Sequence, residues 1–383
     1  MNLTALLAAK EMVLVCGSGG VGKTTTAAAM GVAAATNTNG RVLVLTVDPA
    51  RRLADALGIG KLGNEATMVP SESFEVAGTK PRGELWAAML DTKAGWDELV
   101  RRHAPDVQVR DAVLANPLYQ NITSRFVHSH DYLAMERLYE LHASGEYDLI
   151  IVDTPPSRSA ISFLDAPGRM KEFFGSKLLK WLTVPYRSRL FTMASKPFYQ
   201  VADRVLGSRF LQDIAEFFVL FQAMEKGFVE HARQVEKLVG DPRTTFVVVS
   251  TLEAAPTHEA TYLVRALDRR DLHLGAIIAN RVLPAEFTSK SANRAARKLS
   301  RESATSELVS DLAEALDEDP SDVAHVLREL GDRFADIAVV ATRESERQAE
   351  LAELTSLMVS VPVLDRDVND LGDLVEMGQA FER

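Results

Sequence analysis

A glycine-rich loop between an apolar segment and an alanine-rich segment constrains this chain most strongly. Residues 12–16 read MVLVC, residues 17–24 read GSGGVGKT, and TTAAAMGVAAA follows. This is G-x-x-x-x-G-K-T in a strand–loop–helix context, where backbone N–H groups and a helix N-terminus bind phosphate. The predicted binding residues are Gly17, Ser18, Gly19, Gly20, Val21, Gly22, Lys23, Thr24 and Thr25.

Three side chains of this loop have separate predicted roles. Lys23 is expected to reach the β and γ phosphates, and Thr25 to contact the α phosphate. The hydroxyl of Thr24 is expected to bind magnesium, which prefers oxygen ligands. The alternative, a glycine-rich turn that only opens a helix, does not explain the complete motif in its required context. The loop therefore predicts a nucleotide with magnesium as cofactors.

Seven short apolar runs predict the fold class. They lie at residues 12–16, 42–47, 85–91, 148–153, 245–250, 276–280 and 358–363, and most are apolar throughout rather than alternating. Such runs are typical of strands covered by helices on both faces of a mainly parallel sheet. The prediction is an α/β, doubly wound, mainly parallel sheet of the P-loop NTPase type.

Two regions depart from the alternation of strand and helix. Residues 92–142 and 165–239 predict inserted parts of an α-helical subdomain, within a single ATPase-like domain of residues 1–383. The polar, acidic residues 300–322 predict a loop or an exposed helix pair, in which Ser321 caps a helix that runs through Leu330.

Two aspartates follow predicted strands at the edge where α/β proteins bind nucleotides. Asp153 ends DLIIVD, and it is predicted to hold magnesium through water. Asp48 follows the strand at residues 42–47 in TVDPARRLADALG. Its position before Pro49 also suits a helix N-cap, so both interpretations of Asp48 remain open.

Composition excludes several classes of protein. The 383 residues are 46% hydrophobic and 25% charged, which is typical of a globular chain. The formal net charge of −10 disfavours general binding to nucleic acid, and none is expected as a partner. No signal peptide or long apolar run is apparent, so a cytoplasmic location is expected. The one cysteine, Cys16, excludes a disulfide within the chain.

The motifs together resemble one known family. GSGGVGKTTT, TVDPARRLADALG and VDTPPSRSAISFLDAP resemble signatures of the arsenite-pump ATPase (ArsA) and tail-anchored-protein targeting ATPase family. FVVVSTLEAAPTHEATYLVRAL, GAIIANRVLP and VPVLDRDVNDLGDL extend the resemblance over nearly the whole chain. It implies an ATP-hydrolysing dimer. It also implies that Asp48 aligns the attacking water, that residues 153–158 sense the γ phosphate, that Asn280 reads adenine, and that Pro362 and Val363 flank the base.

The chain departs from this family in two ways. Members carry a lysine five residues before the invariant one, which reaches the partner's nucleotide across a dimer; here that residue is Ser18. Either a paralogue supplies the lysine in a heterodimer, as the resemblance to paired actinobacterial members implies, or Arg51, Arg52 or Arg158 replaces the charge. With Cys16 alone, neither arsenite nor zinc is expected as a partner, and no protein metal site is predicted beyond the magnesium that accompanies the nucleotide.

Residues 171–228 carry two surface patterns. Phe210, Ile214, Phe217, Phe221, Met224 and Phe228 repeat at helical spacing, which predicts either core packing or a groove for a hydrophobic client. Upstream, residues 171–209 carry eight Lys or Arg and interleaved aromatic residues, typical of a solvated basic face or of a surface for an acidic or membrane partner. His128 and His130 lack a third ligand nearby, so no metal is expected there.

The resulting hypothesis is a dimeric ATPase whose nucleotide state moves a helical subdomain that binds a hydrophobic or membrane-protein client. The alternative is a nucleotide-binding regulatory subunit with low turnover, because Ser18 lacks the charge that the family's lysine supplies. A third interpretation, a partitioning ATPase that binds membranes, would require a basic amphipathic C-terminus. Here the end of the chain, LGDLVEMGQAFER, is acidic.

Overall fold

A single eight-stranded sheet forms the centre of the computed structural model, which describes residues 2–47, 52–60, 62–90, 92–117, 119–120, 129–155, 161, 164–169, 172, 217–220, 222–303 and 306–382. The strands are β1 (Met12–Cys16), β2 (Arg41–Thr46), β3 (Thr67–Met68), β4 (Glu84–Met89), β5 (Leu149–Asp153), β6 (Thr244–Ser250), β7 (Leu274–Val282) and β8 (Met358–Pro362). They lie in the order β3-β4-β2-β5-β1-β6-β7-β8. Only β3 is antiparallel to its described neighbour.

The described helices are numbered in chain order. They are α1 (Leu3–Ala8), α2 (Lys23–Asn37), α3 (Arg52–Ala56), α4 (Ser71–Val76), α5 (Thr92–His103), α6 (Val107–Ala115), α7 (Ser129–Ser144), α8 (Glu225–Val239), α9 (Ala254–Asp268), α10 (Lys290–Leu299), α11 (Glu307–Leu316), α12 (Pro320–Ala352) and α13 (Leu371–Gly378). Short 3-10 helices lie at Ala285–Thr288 and Gln379–Phe381.

Both faces of the sheet are covered, which explains its apolar strands. In β1 every residue is buried. Val13 and Val15 pack in the core that includes α1, α2 and α13, while Leu14 and Cys16 pack in the opposite core with α7, α8 and α9. A strand between two cores has no polar face, so its sequence does not alternate. The predicted fold class, a doubly wound and mainly parallel α/β sheet with an inserted helical part, is confirmed.

Small residues let α2 lie close to the sheet. A Cβ at Gly31 would collide with the side chain of Val44 in β2 and lie 3.2 Å from Leu85 Cδ1 in β4. Alanines occupy most of the other buried positions of this helix. The close contact fixes the N-terminus of α2 at the carboxyl end of β1, because the two elements are joined only by residues 17–22.

The strand order places the candidate site at the centre of the sheet. β1 lies between β5 and β6, and both neighbours are parallel to it. The chain builds β2, β4 and β5 on one side of β1 and then β6, β7 and β8 on the other side. Such a reversal opens a crevice at the carboxyl ends of the strands, where α/β proteins bind ligands.

Four helices form a second core beside the sheet. Side chains from α5, α6, α7 and α8 share one apolar cluster, which includes Trp96, Val113, Tyr132 and Phe228. We call these four helices the helical subdomain. α7 and α8 also contribute to the core on the sheet, through residues such as Leu138 and Leu238. The boundaries 92–142 and 165–239 remain predictions.

The apolar pattern of residues 210–228 is described at three of its six positions. Phe217, Met224 and Phe228 are buried in the core of the helical subdomain. Core packing therefore accounts for these three residues. Phe210, Ile214, Phe221 and nearly all of the basic segment lie outside the described residues. Among the described helices, none has the length and apolar character needed to cross a lipid bilayer.

The structure corrects two details of the predicted elements. The two-residue edge strand β3 was not predicted. Residues 307–316 and 320–352 are helical, so the helix-pair alternative for this acidic region is right, but the predicted cap is wrong. Asp319 caps α12 by accepting a hydrogen bond from the Ser321 N–H at 2.7 Å, and Ser321 is inside the helix. Pro320 can then take the first helical position, where its missing N–H costs nothing.

Candidate functional site

Backbone geometry explains two of the glycines in the loop after β1. Gly20 and Gly22 have φ values of 83° and 92°, in the left-handed region that residues with a Cβ rarely adopt. A Cβ on Gly22 would also collide with the side-chain amide of Asn280. The loop therefore needs glycine at residue 22 both for its backbone conformation and for its contact with β7.

Lys23 lies at the first turn of α2 and is largely buried. Its side chain is 8% exposed, and its Nζ donates a hydrogen bond to the carbonyl oxygen of Ser18 at 2.9 Å. The lysine thus lies along the loop that precedes it. The Ser18 hydroxyl oxygen is buried and makes no hydrogen bond to the described part of the protein.

A hydroxyl–carboxylate network joins the loop to two strand ends. The Thr24 hydroxyl donates to Asp153 Oδ2 at 2.6 Å, and the Thr46 hydroxyl donates to the same oxygen at 3.0 Å. Asp153 is 1% exposed. Thr46 and Asp153 are register partners at the ends of β2 and β5. The two predicted magnesium residues, Thr24 and Asp153, are thus in direct contact, and Thr46 joins them.

A cavity of about 580 Å³ opens beside the loop. Its walls include Gly22, Thr25, Asn280, Pro362 and Val363, all predicted to bind nucleotide. This volume is within the usual range for small-molecule sites. Residues that the sequence did not single out also line it, namely Asp55, Ala56, Arg281, Val361, Leu364, Arg366, Asp367, Val368, Asn369 and Met377.

Asn280 connects the cavity wall to the phosphate loop. It is 6% exposed, and its amide nitrogen donates to the carbonyl oxygen of Val21 at 2.8 Å. Its amide oxygen accepts from the backbone N–H of Arg281 at 3.0 Å. Arg281 has a φ of 59°, a bend that turns the chain at the cavity rim. The proposed reading of adenine by Asn280 stays a prediction.

An ion pair organises the loop after β8. Asp373 in α13 accepts hydrogen bonds from Arg366 Nε at 2.7 Å and from the Asn369 N–H at 2.9 Å. Burial favours the protonated carboxyl, but these two donors outweigh it and hold the pKa of Asp373 below its usual value. Arg366 and Asn369 line the cavity, so this contact shapes its rim.

Several predicted residues cannot be placed in the site. Asp48, Arg51 and Arg158 lie outside the described residues, as do residues 156–157 of the second predicted switch. The side chain of Arg52 is likewise outside the description. β2, which precedes Asp48, ends with Thr46 beside Asp153. The roles of Asp48 and of the three arginines therefore stay predictions.

The family follows from a match over most of the sequence. Residues 10–317 match the family model described as anion-transporting ATPase. The chain belongs to the ArsA family of anion-transporting ATPases. The match includes the phosphate loop, both ends of the network at Asp153 and Thr46, and Asn280. Membership in this family of ATPases implies that the chain binds a nucleotide.

Curated relatives support the same assignment at low identity. ATPase GET3 of Malassezia globosa is 26% identical over 267 residues, which cover 70% of this chain and 71% of that protein. The ATPase ASNA1 homolog of Entamoeba dispar is 24% identical, with coverage of 74% and 80%. ATPase get3 of Schizosaccharomyces japonicus is 24% identical, with coverage of 71% and 75%. These similarities agree with the family that the match over residues 10–317 shows.

The single cysteine of this ArsA-family chain is expected to have low reactivity. Cys16 is buried at the end of β1, and its Sγ lies 3.5 Å from the Thr154 hydroxyl oxygen. Burial is the main cause that raises its pKa to about 11, although Thr154 and Lys23 act in the opposite direction. The thiol therefore stays protonated near neutral pH and is a poor metal ligand.

Proposed function

We propose that this chain hydrolyses ATP to ADP and phosphate as one subunit of a dimer. The observation that most directly supports this proposal is the hydrogen bond between Thr24 and Asp153 at the phosphate loop. The same loop borders a cavity large enough for a small-molecule ligand. The cavity lies next to Gly22 and Thr25, so a triphosphate on the loop leaves the adenosine end beside Asn280, Pro362 and Val363. The names of the curated relatives, which are ATPases, agree with this proposal.

In the proposed mechanism the protein binds, orients and stabilises rather than forming a covalent bond. Backbone N–H groups of residues 17–24 surround the phosphates, and Lys23 turns from the Ser18 carbonyl towards the β and γ phosphates. Asp48 orients a water molecule for in-line attack on the γ phosphate. The hydroxyl of Thr24 and the carboxylate of Asp153 together offer the oxygen ligands that magnesium prefers. When bound, magnesium would neutralise part of the negative charge of the phosphates.

We further propose that the γ phosphate controls the helical subdomain. The segment that follows Asp153 at the end of β5 and the segment that follows β2 are its two sensors, as the family resemblance implies. Contacts with the γ phosphate order both segments, and loss of the phosphate releases them. The physical support is that α7 and α8 have side chains in both the sheet core and the subdomain core. We place this activity in the cytoplasm.

The choice of partner subunit in this proposal depends on Ser18. A serine cannot supply the positive charge that the family's extra lysine brings, and by analogy with arginine fingers such a loss costs about 10³-fold in rate or more. We therefore propose a heterodimer with a paralogue that carries the lysine, while Arg51, Arg52 or Arg158 within this chain remains the competing source of charge. The second candidate function, a regulatory subunit that binds nucleotide but turns over poorly, rests on the same residue.

Hydrolysis measurements separate these functions. The ATPase proposal expects slow turnover by the chain alone and faster turnover after the paralogue is added. Background rates in both cases, together with tight nucleotide binding, would instead establish the regulatory subunit. Ser18→Lys should raise turnover by the chain alone if the missing charge limits it. Alanine at Arg51, Arg52 or Arg158 tests the competing source of charge.

Two substitutions test the mechanism itself. Asp48→Asn should retain nucleotide binding and abolish turnover, because the amide cannot orient water as the carboxylate does. Lys23→Ala should weaken nucleotide binding, hydrolysis or both. Unchanged turnover by Asp48→Asn would remove this aspartate from the mechanism. Calorimetry with magnesium and ATP supplies the binding measurement for both variants.

From the resemblance to targeting ATPases we also propose a hydrophobic or membrane-protein client for the helical subdomain. Phe217 is buried in the subdomain core, so its replacement would test folding rather than a client surface. Trp181→Asp and Phe198→Asp, in the basic aromatic segment, are the better test. They should reduce capture of a hydrophobic transmembrane peptide and leave ATP hydrolysis intact. Unchanged capture would exclude that segment as the client surface.

A further inference from the structure

Three polar side chains from three helices meet inside the helical subdomain. They are His103 at the end of α5, Glu136 in α7 and His231 in α8. His103 Nε2 lies 3.2 Å from Glu136 Oε1, and His231 Nδ1 lies 2.6 Å from the same oxygen. One nitrogen or oxygen from each residue lies within 4.8 Å of those of the other two. Both imidazoles therefore converge on a single carboxylate oxygen.

Burial makes this cluster costly unless its charge is compensated. The side chains of His103 and Glu136 are 4% and 1% exposed, and that of His231 is 26% exposed. A carboxylate this deeply buried needs hydrogen bonds and a compensating positive charge; His103 Nε2 is within hydrogen-bond distance of Glu136 Oε1, and the Tyr132 hydroxyl lies close to the same side chain. The neighbouring arginines have other partners: Arg102 and Arg137 form ion pairs with Glu140, and Arg102 also pairs with Glu98. Among the described residues, no lysine or arginine forms an ion pair with Glu136.

A direct hydrogen bond does not account for the position of His231. Its Nδ1 is buried and has no hydrogen-bond partner in the described part of the chain, although Glu136 Oε1 lies only 2.6 Å away. The nitrogen is thus close to the oxygen but in the wrong direction for a hydrogen bond. The ring stacks edge-on against the rings of His103 and Tyr139, at centroid distances of 4.6 and 5.6 Å.

The separations suit an ion placed between the three residues. Zinc bonds of about 2.0–2.1 Å to nitrogen and oxygen in a tetrahedron put neighbouring ligand atoms roughly 3.3 Å apart. The His103–Glu136 separation of 3.2 Å agrees with this value. His231 would need to withdraw by about 0.7 Å, which its partly exposed side chain can do by rotation. Two imidazoles and one carboxylate are also a donor set that zinc commonly uses.

We propose that His103, Glu136 and His231 bind a divalent transition-metal ion of the zinc type. A cavity of about 270 Å³ has Glu136 in its wall, which leaves space beside this ligand for a water molecule. The ion joins α5, α7 and α8, so its binding favours the folded subdomain. The site uses neither Cys16 nor the His128–His130 pair, which were the basis for expecting no zinc. It does not depend on the proposed ATPase activity.

Metal titration of the full chain tests this proposal. The protein should carry a tag without histidine and be free of nucleotide, because phosphates also bind zinc. In competition with a chromogenic chelator, the unsubstituted chain is expected to bind one equivalent of Zn²⁺, and Co²⁺ should give absorption bands of a four-coordinate site. Glu136→Gln and His231→Ala should each weaken binding at least about tenfold. The control is His142→Gln, which removes another histidine paired with a glutamate, Glu11 at 2.8 Å.

Thermal unfolding separates metal binding from a purely structural role. Zn²⁺ should raise the melting temperature of the unsubstituted chain and of His142→Gln, with a rise that grows with ion concentration, but not that of Glu136→Gln. The proposal is overturned if the unsubstituted chain binds no ion in competition with the chelator. It is equally overturned if the cluster variants and His142→Gln bind zinc alike. It is also overturned if both cluster variants have lower melting temperatures but zinc raises the melting temperature of no protein tested.

Discussion

At the scale of single residues, Asp153 depends on two hydroxyl donors, and the sequence identified only one. Thr24 belongs to the phosphate motif, whereas Thr46 is a β-branched residue at the end of a strand and resembles many others. Its contact with Asp153 follows from the register between β2 and β5. Register depends on how the whole sheet assembles, so local sequence could predict the aspartate but not this second donor.

Thr46→Val tests that donor. Valine keeps the shape but removes the hydroxyl, so the Asp153 carboxylate loses one buried hydrogen bond, at a cost of about 2 kcal/mol. We expect lower stability in urea and a higher magnesium concentration for half-maximal ATP hydrolysis. Thr244→Val is the matched control, because this buried hydroxyl at the start of β6 donates to the Leu238 carbonyl at 2.8 Å instead. Equal magnesium dependence in the two variants would contradict the role of Thr46.

Cys16 should react slowly in the native protein. Its pKa of about 11, against an ordinary value of 9.0, reduces the thiolate fraction roughly a hundredfold at pH 8. The measurement is the rate of reaction with a chromogenic disulfide reagent at pH 8, compared with the same protein in guanidinium chloride. Because the chain has one cysteine, the signal belongs to this residue alone. Similar rates in the two conditions would show that the thiol is accessible.

At the scale of secondary-structure elements, burial on two faces explains which elements were predictable. β1 and β5 are buried throughout; the sequence of β1 is continuously apolar, and that of β5 is apolar up to its last residue, Asp153. β3 consists of two exposed residues paired with Ala87 and Trp86 of β4, so its sequence carries no pattern. The start of α12 was misplaced by two residues, because Asp319 and Ser321 are both good N-caps and the choice depends on the following proline.

The cap of α12 can be tested by substitution and by pH. Asp319→Ala should lower the melting temperature of the chain at neutral pH, and Ser321→Ala should lower it less, because the Ser321 N–H still donates to Asp319. Hydrogen bonds from Ser321 hold the pKa of Asp319 below its usual 3.8. The stabilisation is therefore complete above about pH 4 and is lost as the pH falls through the lower folded value. A difference between Asp319→Ala and the unsubstituted chain that did not shrink as the pH fell below about 4 would contradict this.

At the scale of the whole molecule, two helices connect the core on the sheet to the helical subdomain. In α8, Phe228 and Ala232 lie in the subdomain core, while Val235 and Leu238 lie in the core on the sheet. α7 is divided in the same way. The His103–Glu136–His231 cluster sits on these helices, and the sequence could not reveal it. Its members lie on three helices that only tertiary packing brings together, and none of them forms a short motif.

Nucleotide binding should therefore change the protection of backbone amides from hydrogen exchange in the helical subdomain as well as in the phosphate loop. We expect ATP with magnesium to alter amide hydrogen exchange in α5, α7 and α8, while the fully buried strands β1 and β6 stay strongly protected in both states. The reason is that α7 and α8 end just before β5 and β6 begin, so their N-terminal halves extend towards the carboxyl edge of the sheet, where the two segments proposed to sense the γ phosphate begin. Lys23→Ala is the control, because it should respond much less to the same nucleotide concentration. Protection confined to residues 17–30 and the cavity rim, with no change in the three helices, would mean that this protein binds nucleotide without moving its subdomain.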